Sequence, residues 1–148
     1  MYHDLSLSNQ QRLKIAALTG SVGFATALAM TTFDPGLQYF LPEAGFHLAA
    51  TLGAGYAGFI AADGFGRPGA AGLCWAMATA LFTTLAGAAL GAMLLAPPFM
   101  APLAAPLGWV ALAEAAGEGD QIVKLWLGSM TLLHLCAIQA RLADGRRS

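Results

Sequence analysis

The sequence predicts an all-α integral membrane protein, a bundle of four transmembrane helices with both termini in the cytoplasm. Charged residues are absent from 15–33, 44–62, 68–113 and 125–140. A helix rises about 1.5 Å per residue, so about 20 residues cross a hydrocarbon core of about 30 Å. Only 10% of the 148 residues are charged and 57% are hydrophobic, whereas a soluble domain carries about 25% charged residues. The few basic residues that remain follow the positive-inside rule.

The uncharged windows define four spans within a single membrane domain, 1–148. The predicted spans are about 13–33, 46–63, 70–96 and 122–141. Ser8 and Gln11 have the spacing of a capping box, which begins the first helix. The Asp-Pro-Gly sequence at 34–36 is typical of a turn and ends that helix. Glycine and proline within 64–69 make the next loop short, so the second and third spans form an antiparallel hairpin.

Basic residues at three places predict the orientation of these spans. Arg12 and Lys14 precede the first span, Arg67 lies between the second and third, and the arginines of 141–147 follow the last. Together these places hold six of the seven basic residues. They are therefore predicted to be cytoplasmic, with Lys124 as the exception.

The third uncharged window is long enough for two spans, but we predict one. The proline pair after residue 96 ends the third helix, because proline removes a hydrogen-bond donor and restricts the residue before it. A further crossing would carry the C-terminal arginines to the opposite side. We therefore predict that 97–117 is a non-crossing segment that lies in the outer interface or dips into it, with its first half broken by Pro102 and Pro106.

The first span has a second interpretation as a signal peptide. Its basic start, its apolar run and the small residues Ala27 and Ala29 are typical of a cleaved leader. The apolar run continues past that site to Phe33. A retained first span also balances the charges, so we expect it to be retained.

Small residues recur every four positions in the first three spans and predict close helix packing, since they let backbones approach. The predicted packing residues are Ala17, Ser21 and Ala25 in the first span, Ala50, Ala54 and Gly58 in the second, and Thr83, Gly87 and Gly91 in the third. The last span has no such row. Its bulky side chains form a surface for lipid, for the other helices or for another protein, and we assign Trp126, Met130 and Leu133 to a partner.

His134, Cys74 and Cys136 are the candidate ligands within the spans. Both cysteines are predicted in the cytoplasmic leaflet, and thiols near an imidazole suit Cu(I) or Zn(II). Free cysteine also packs as a small apolar residue, which is the favoured interpretation. His134 either ligates a haem or chlorophyll, or hydrogen-bonds as a neutral ring to a hydroxyl or to backbone. Asp63 is expected in a solvated turn.

No motif specifies a reaction, since the chain has no Ser-His-Asp set, no phosphate-binding glycine loop and no paired intramembrane carboxylates. A net charge of −1 also argues against nucleic acid as a partner. The sequence predicts a non-catalytic accessory or assembly subunit of a respiratory, photosynthetic or transport complex in a bacterial inner membrane, without a metal or cofactor. Its partners would be the lipid bilayer and other subunits or a second copy. The alternatives are a homo-oligomeric transporter or channel, and a haem or metal carrier.

Overall fold

The computed structural model describes residues 7–33, 43–117 and 120–144, and the turn predicted at 34–36 lies outside them. The described residues form five α-helices joined by short connections. The helices are α1 (Asn9–Phe33), α2 (Glu43–Ile60), α3 (Gly69–Leu95), α4 (Ala101–Gly117) and α5 (Asp120–Asp144). A short 3-10 turn, Ala62–Gly64, follows α2.

Three of these helices are long and apolar enough to cross a membrane. The segments that meet both conditions are Asn9–Thr32, Gly69–Leu95 and Asp120–Leu142. The helices α2 and α4 are shorter, with 18 and 17 residues. Large apolar side chains such as Leu52, Leu81 and Leu132 are more than half exposed. A surface of this kind is suited to lipid, so the protein has the character of a helical membrane bundle.

The capping box predicted at the start of α1 is confirmed. The Ser8 backbone N–H donates to Gln11 Oε1 over 2.9 Å, and the Gln11 N–H donates to Ser8 Oγ over 3.3 Å. Each side chain therefore satisfies a backbone donor that the first turn leaves without an intrahelical partner.

The segment predicted to be broken by proline is instead the helix α4. Pro102 occupies its first turn, where a backbone N–H has no helical partner in any case. Pro106 removes one interior hydrogen bond, and packing against α3 compensates for it. Gly108 lies so close to the backbone of Ala88 that a β-carbon there would clash. The Trp109 indole donates to the Leu85 carbonyl over 3.0 Å. Thus α4 runs back along α3.

Glycine allows the closest approaches between the first three helices. A β-carbon on Gly23 would lie 2.6 Å from the Ala54 β-carbon, and one on Gly87 would lie 2.9 Å from the Ala54 α-carbon. A β-carbon on Gly53 would lie 2.8 Å from the Gly91 nitrogen. Such distances are below ordinary van der Waals contact, so α1, α2 and α3 pack backbone to backbone. The helix α5 packs on α1 and completes the bundle.

Candidate functional site

A set of polar contacts, which we call the clamp, joins three parts of the chain at one end of the bundle. It consists of Arg12 in α1, Asp63, Phe65 and Gly66 between α2 and α3, and His134 and Arg141 in α5. Asp63 forms an ion pair with Arg12 and accepts a hydrogen bond from the Leu7 N–H over 3.0 Å. The start of α1 is therefore attached to the end of α2.

On the other side of the clamp, side chains of α5 bind backbone groups of the loop between α2 and α3. The Gly66 N–H donates to His134 Nδ1 over 3.1 Å, which requires the ring nitrogen to be unprotonated. The Arg141 guanidinium donates to the carbonyl oxygens of Phe65 and Asp63 over 3.0 and 3.1 Å. Phe65 itself is fully buried. Hydrogen bonds from a charged donor are among the stronger ones in proteins, so α5 is held firmly at this end.

A cavity of about 310 Å³ lies between the helices. Every helix contributes to its wall, and alanine is the most frequent lining residue. Representative pairs are Thr26 and Met30 of α1, Ala50 and Ala54 of α2, Gly87 and Gly91 of α3, Leu107 and Ala111 of α4, and Trp126 and Met130 of α5. None of the described lining residues has an acidic or basic side chain. The cavity is thus almost wholly apolar.

The few polar groups in the cavity wall are already hydrogen-bonded. Thr19 and Thr26 each donate to a carbonyl in the preceding turn of α1 over 2.9 Å. Thr83 and Thr84 do the same in α3, over 2.9 and 2.8 Å. The Trp126 indole donates to Thr84 Oγ1 over 2.8 Å. These groups therefore present no unused donor to a molecule in the cavity.

The size of the cavity is energetically significant. At about 24 cal/mol per Å³, a closed and empty cavity of this volume would cost on the order of 7 kcal/mol. The usual stability of a folded protein is about 5–15 kcal/mol. The cavity is partly open, and α1 and α4, whose described residues share at most marginal contact, form two of its walls.

The predicted packing rows of α2 and α3 meet in the bundle. Ala54 touches Gly87, Gly91 packs on Ala49 and Ala50 of α2, and Gly58 packs on Thr19 of α1. Thr83 is buried at 2% exposure. In α1 the prediction differs from the structure. Its predicted row does not make the contact with α2, because Ala17 and Ser21 are exposed and Ala25 is only half-buried. Gly20 and Gly23, one helical face away, make that contact instead.

The three bulky residues of α5 predicted to face a partner point into the bundle instead. Leu133 is 3% exposed and belongs to the core. Met130 packs against the same core, and Trp126 bonds to α3. The physical reason is that α5 buries its bulky side against Ile15 of α1 and the small residues Ala76 and Ala80 of α3. Its outward face carries Leu132 and Gly128.

The candidate metal ligands do not form a cluster. Cys74 is exposed and Cys136 is half-buried, and both are free thiols. His134 uses Nδ1 to accept the Gly66 N–H, which is the backbone bond predicted as one alternative. Among the residues that the structure describes, no group of three or more His, Cys, Asp or Glu side chains could hold a metal ion.

The sequence contained a partial signal for the clamp. Asp63 was predicted in a solvated turn, and its side chain is about one-third exposed, yet it also holds Arg12. One acid beside arginines at the same end of three helices predicts an ion pair. The positive φ of Gly66, 76°, and its contact with Ala137 could not be read from the sequence. Comparison of the chain with protein-family models, curated proteins and solved structures finds no match.

Proposed function

We propose that this protein is a non-catalytic accessory or assembly subunit of a larger complex in a bacterial inner membrane. It crosses the membrane four times and has both termini in the cytoplasm. The observation that carries the proposal has two parts. The polar groups of the interior are used in hydrogen bonds within the bundle, and the outward surface of a spanning helix carries a glycine that nothing covers.

The clamp supports an even number of crossings. Arg12 near the start of α1 pairs with the Asp63 side chain, and Arg141 near the end of α5 donates to the Asp63 carbonyl. The start of α1 and the end of α5 therefore lie at the same end of the bundle. The chain leaves the clamp with α3 and reaches it again with α5, so α4, which lies between them, adds no complete crossing. The clamp end also holds most of the basic residues, which favours the cytoplasm. Lys124, the exception, is paired with Asp120.

The interior supports a non-catalytic role. Within residues 7–32, 45–117 and 120–142, every buried side-chain nitrogen or oxygen has a hydrogen-bond partner. Intramembrane ionisable residues are the usual mark of ion or proton pathways. Here the buried His134 is bonded to the loop, and the cavity wall has no ionisable group. The interior polar groups are therefore accounted for by helix packing.

The outward surface of α1 and α5 supports a role in assembly. Gly128 is exposed, and a β-carbon there would have nothing within 4 Å. A glycine in a helix interior lowers stability by about 1 kcal/mol relative to alanine, and in return it allows another helix to approach closely. Ala17 and Ser21 are exposed on the neighbouring α1. Small residues on the outside of two adjacent helices provide a surface for a further membrane helix.

Purification in mild detergent from cells that express a tagged chain at its native level tests the proposal. We expect unlike membrane subunits to co-purify with the wild-type chain and to be lost from Gly128→Leu. Gly117→Leu is the matched control, because a β-carbon at Gly117 also has nothing within 4 Å, but the residue ends α4. The control should retain the subunits.

Other results would contradict the proposal. Equal losses from the two variants would show that Gly128 is not part of a specific contact. A stable oligomer of this chain alone, with measurable flux in vesicles, would support a small transporter or channel instead. Metal or haem in stoichiometric amounts in the purified sample would support the carrier function.

A further inference from the structure

The geometry points to a binding site for one hydrocarbon chain, the acyl chain of a bilayer phospholipid, in the cavity between the five helices. The inference concerns the interior of the chain and does not depend on which partner covers its surface. It follows from the chemistry of the cavity wall, the rigidity of that wall and the size of the space.

The chemistry of the wall selects an apolar occupant. The threonine hydroxyls donate within their own helices, and the Trp126 indole N–H donates to Thr84. A buried water needs two to four polar partners, and apolar cavities without them stay dry. A polar headgroup would likewise find no free donor and no charge. A hydrocarbon chain matches this wall, so the headgroup of a phospholipid must remain outside it.

The wall is also held in place, so the cavity cannot simply collapse. Close contacts fix α1 to α2 at Gly23, α2 to α3 at Gly87, and α3 to α4 at Gly108. The clamp fixes α5 to the loop before α3 through the hydrogen bond between His134 and Gly66. Because backbone already touches backbone at these points, these three pairs of neighbouring helices can move no closer to each other. The space is therefore preformed, and hydrocarbon is the solvent available to fill it.

The volume suits a chain. A protein cavity of about 150 Å³ accommodates benzene, which has six carbons, so about 310 Å³ accommodates about twelve. This is most of one acyl chain. The cavity is partly open, so a chain can enter it while its headgroup stays at the membrane surface.

Trp126 provides a direct reporter, because it lines the cavity. In a Trp75→Phe, Trp109→Phe background it is the remaining tryptophan. The protein is reconstituted in palmitoyl-oleoyl phosphatidylcholine vesicles, with or without palmitoyl-dibromostearoyl phosphatidylcholine. Bromine quenches indole fluorescence on contact. We expect strong quenching of Trp126, and a reduction of at least twofold when Ala111→Phe fills the cavity.

Ala113→Phe is the matched control, since Ala113 lies on the exposed side of the same helix. It should leave the quenching unchanged. If Ala111→Phe does not fold, Ala92→Leu fills the cavity from α3, with the exposed Ala71→Leu as its control. Folding of each variant is checked by far-UV circular dichroism and gel filtration.

Three results would overturn the inference. The first is equal quenching in the filled and control variants, which would place the bromine outside the cavity. The second is quenching of Trp126 by aqueous acrylamide in place of the bromolipid, which would show that the cavity is hydrated. The third is an isoprenoid quinone, with no phospholipid, in the organic extract of protein purified from cells.

Discussion

Replacing Gly66 with alanine tests whether the clamp holds α5 against the loop. Gly66 has a φ of 76°, and a β-carbon there would lie 2.7 Å from the Ala137 carbonyl carbon and oxygen. The left-handed conformation costs an alanine about 1–2 kcal/mol. Overpacking against α5 costs about 1–3 kcal/mol more. We therefore expect Gly66→Ala to lower the free energy of unfolding by about 2–5 kcal/mol.

Gly69→Ala is a closely matched control. Gly69 has a φ of 80°, and a β-carbon there would have nothing within 4 Å. Its substitution should therefore cost only the backbone strain, about 1–2 kcal/mol. The effect of alanine on the entropy of the unfolded chain is common to both variants and cancels. The difference between Gly66→Ala and Gly69→Ala, about 1–3 kcal/mol, isolates the contact with α5.

The assay is equilibrium unfolding in mixed micelles of dodecylmaltoside and sodium dodecyl sulfate, followed by circular dichroism. The midpoint for Gly66→Ala should lie at a lower fraction of dodecyl sulfate than that for Gly69→Ala. Equal midpoints would refute the reasoning, because they would mean that α5 does not rest on the loop at Gly66.

Three further predictions concern the polar side chains. His134→Leu leaves the buried Gly66 N–H without an acceptor and should cost about 1–3 kcal/mol in the same unfolding assay, whereas His134→Asn supplies an oxygen and should cost less; equal costs would contradict the hydrogen bond. Asp63→Asn keeps an acceptor for the Leu7 N–H but loses the partly exposed ion pair with Arg12, so the free energy of unfolding should fall by only about 1 kcal/mol or less. A loss of more than about 3 kcal/mol would show a buried charge pair. Replacing Cys74 and Cys136 together with serine should leave the metal content of purified protein unchanged by elemental analysis, and a loss of bound metal would restore the carrier hypothesis.

The sequence predicted the helical membrane class because charge is absent over long windows. The capping box at Ser8 could also be predicted, because it depends only on two residues that are three positions apart in the sequence. The helix α4 was missed because Pro106 argues against a helix locally, while the packing of Gly108 on Ala88 that stabilises it is a tertiary contact. Local sequence carries no information about such a neighbour.

The candidate site shows the same limit. Small residues in α2 and α3 indicate close packing. The face of α1 that makes the contact depends on how that helix is rotated about its axis. Because α1 has small residues on several sides, its sequence does not determine that rotation. The prediction that Trp126 faces outward followed from its bulk alone. Its hydrogen bond to Thr84 could not be foreseen, because the two residues belong to distant helices. The cavity is likewise a product of the assembled walls.

The intact mass of the particle extracted in mild detergent is the sharpest test of the accessory-subunit function. The chain has a mass of 15.2 kDa. Native mass spectrometry of protein expressed at its natural level should give a particle that contains this chain together with subunits of different mass. A particle of 15.2 kDa, or of a whole multiple of it with bound lipid only, would contradict the accessory-subunit function.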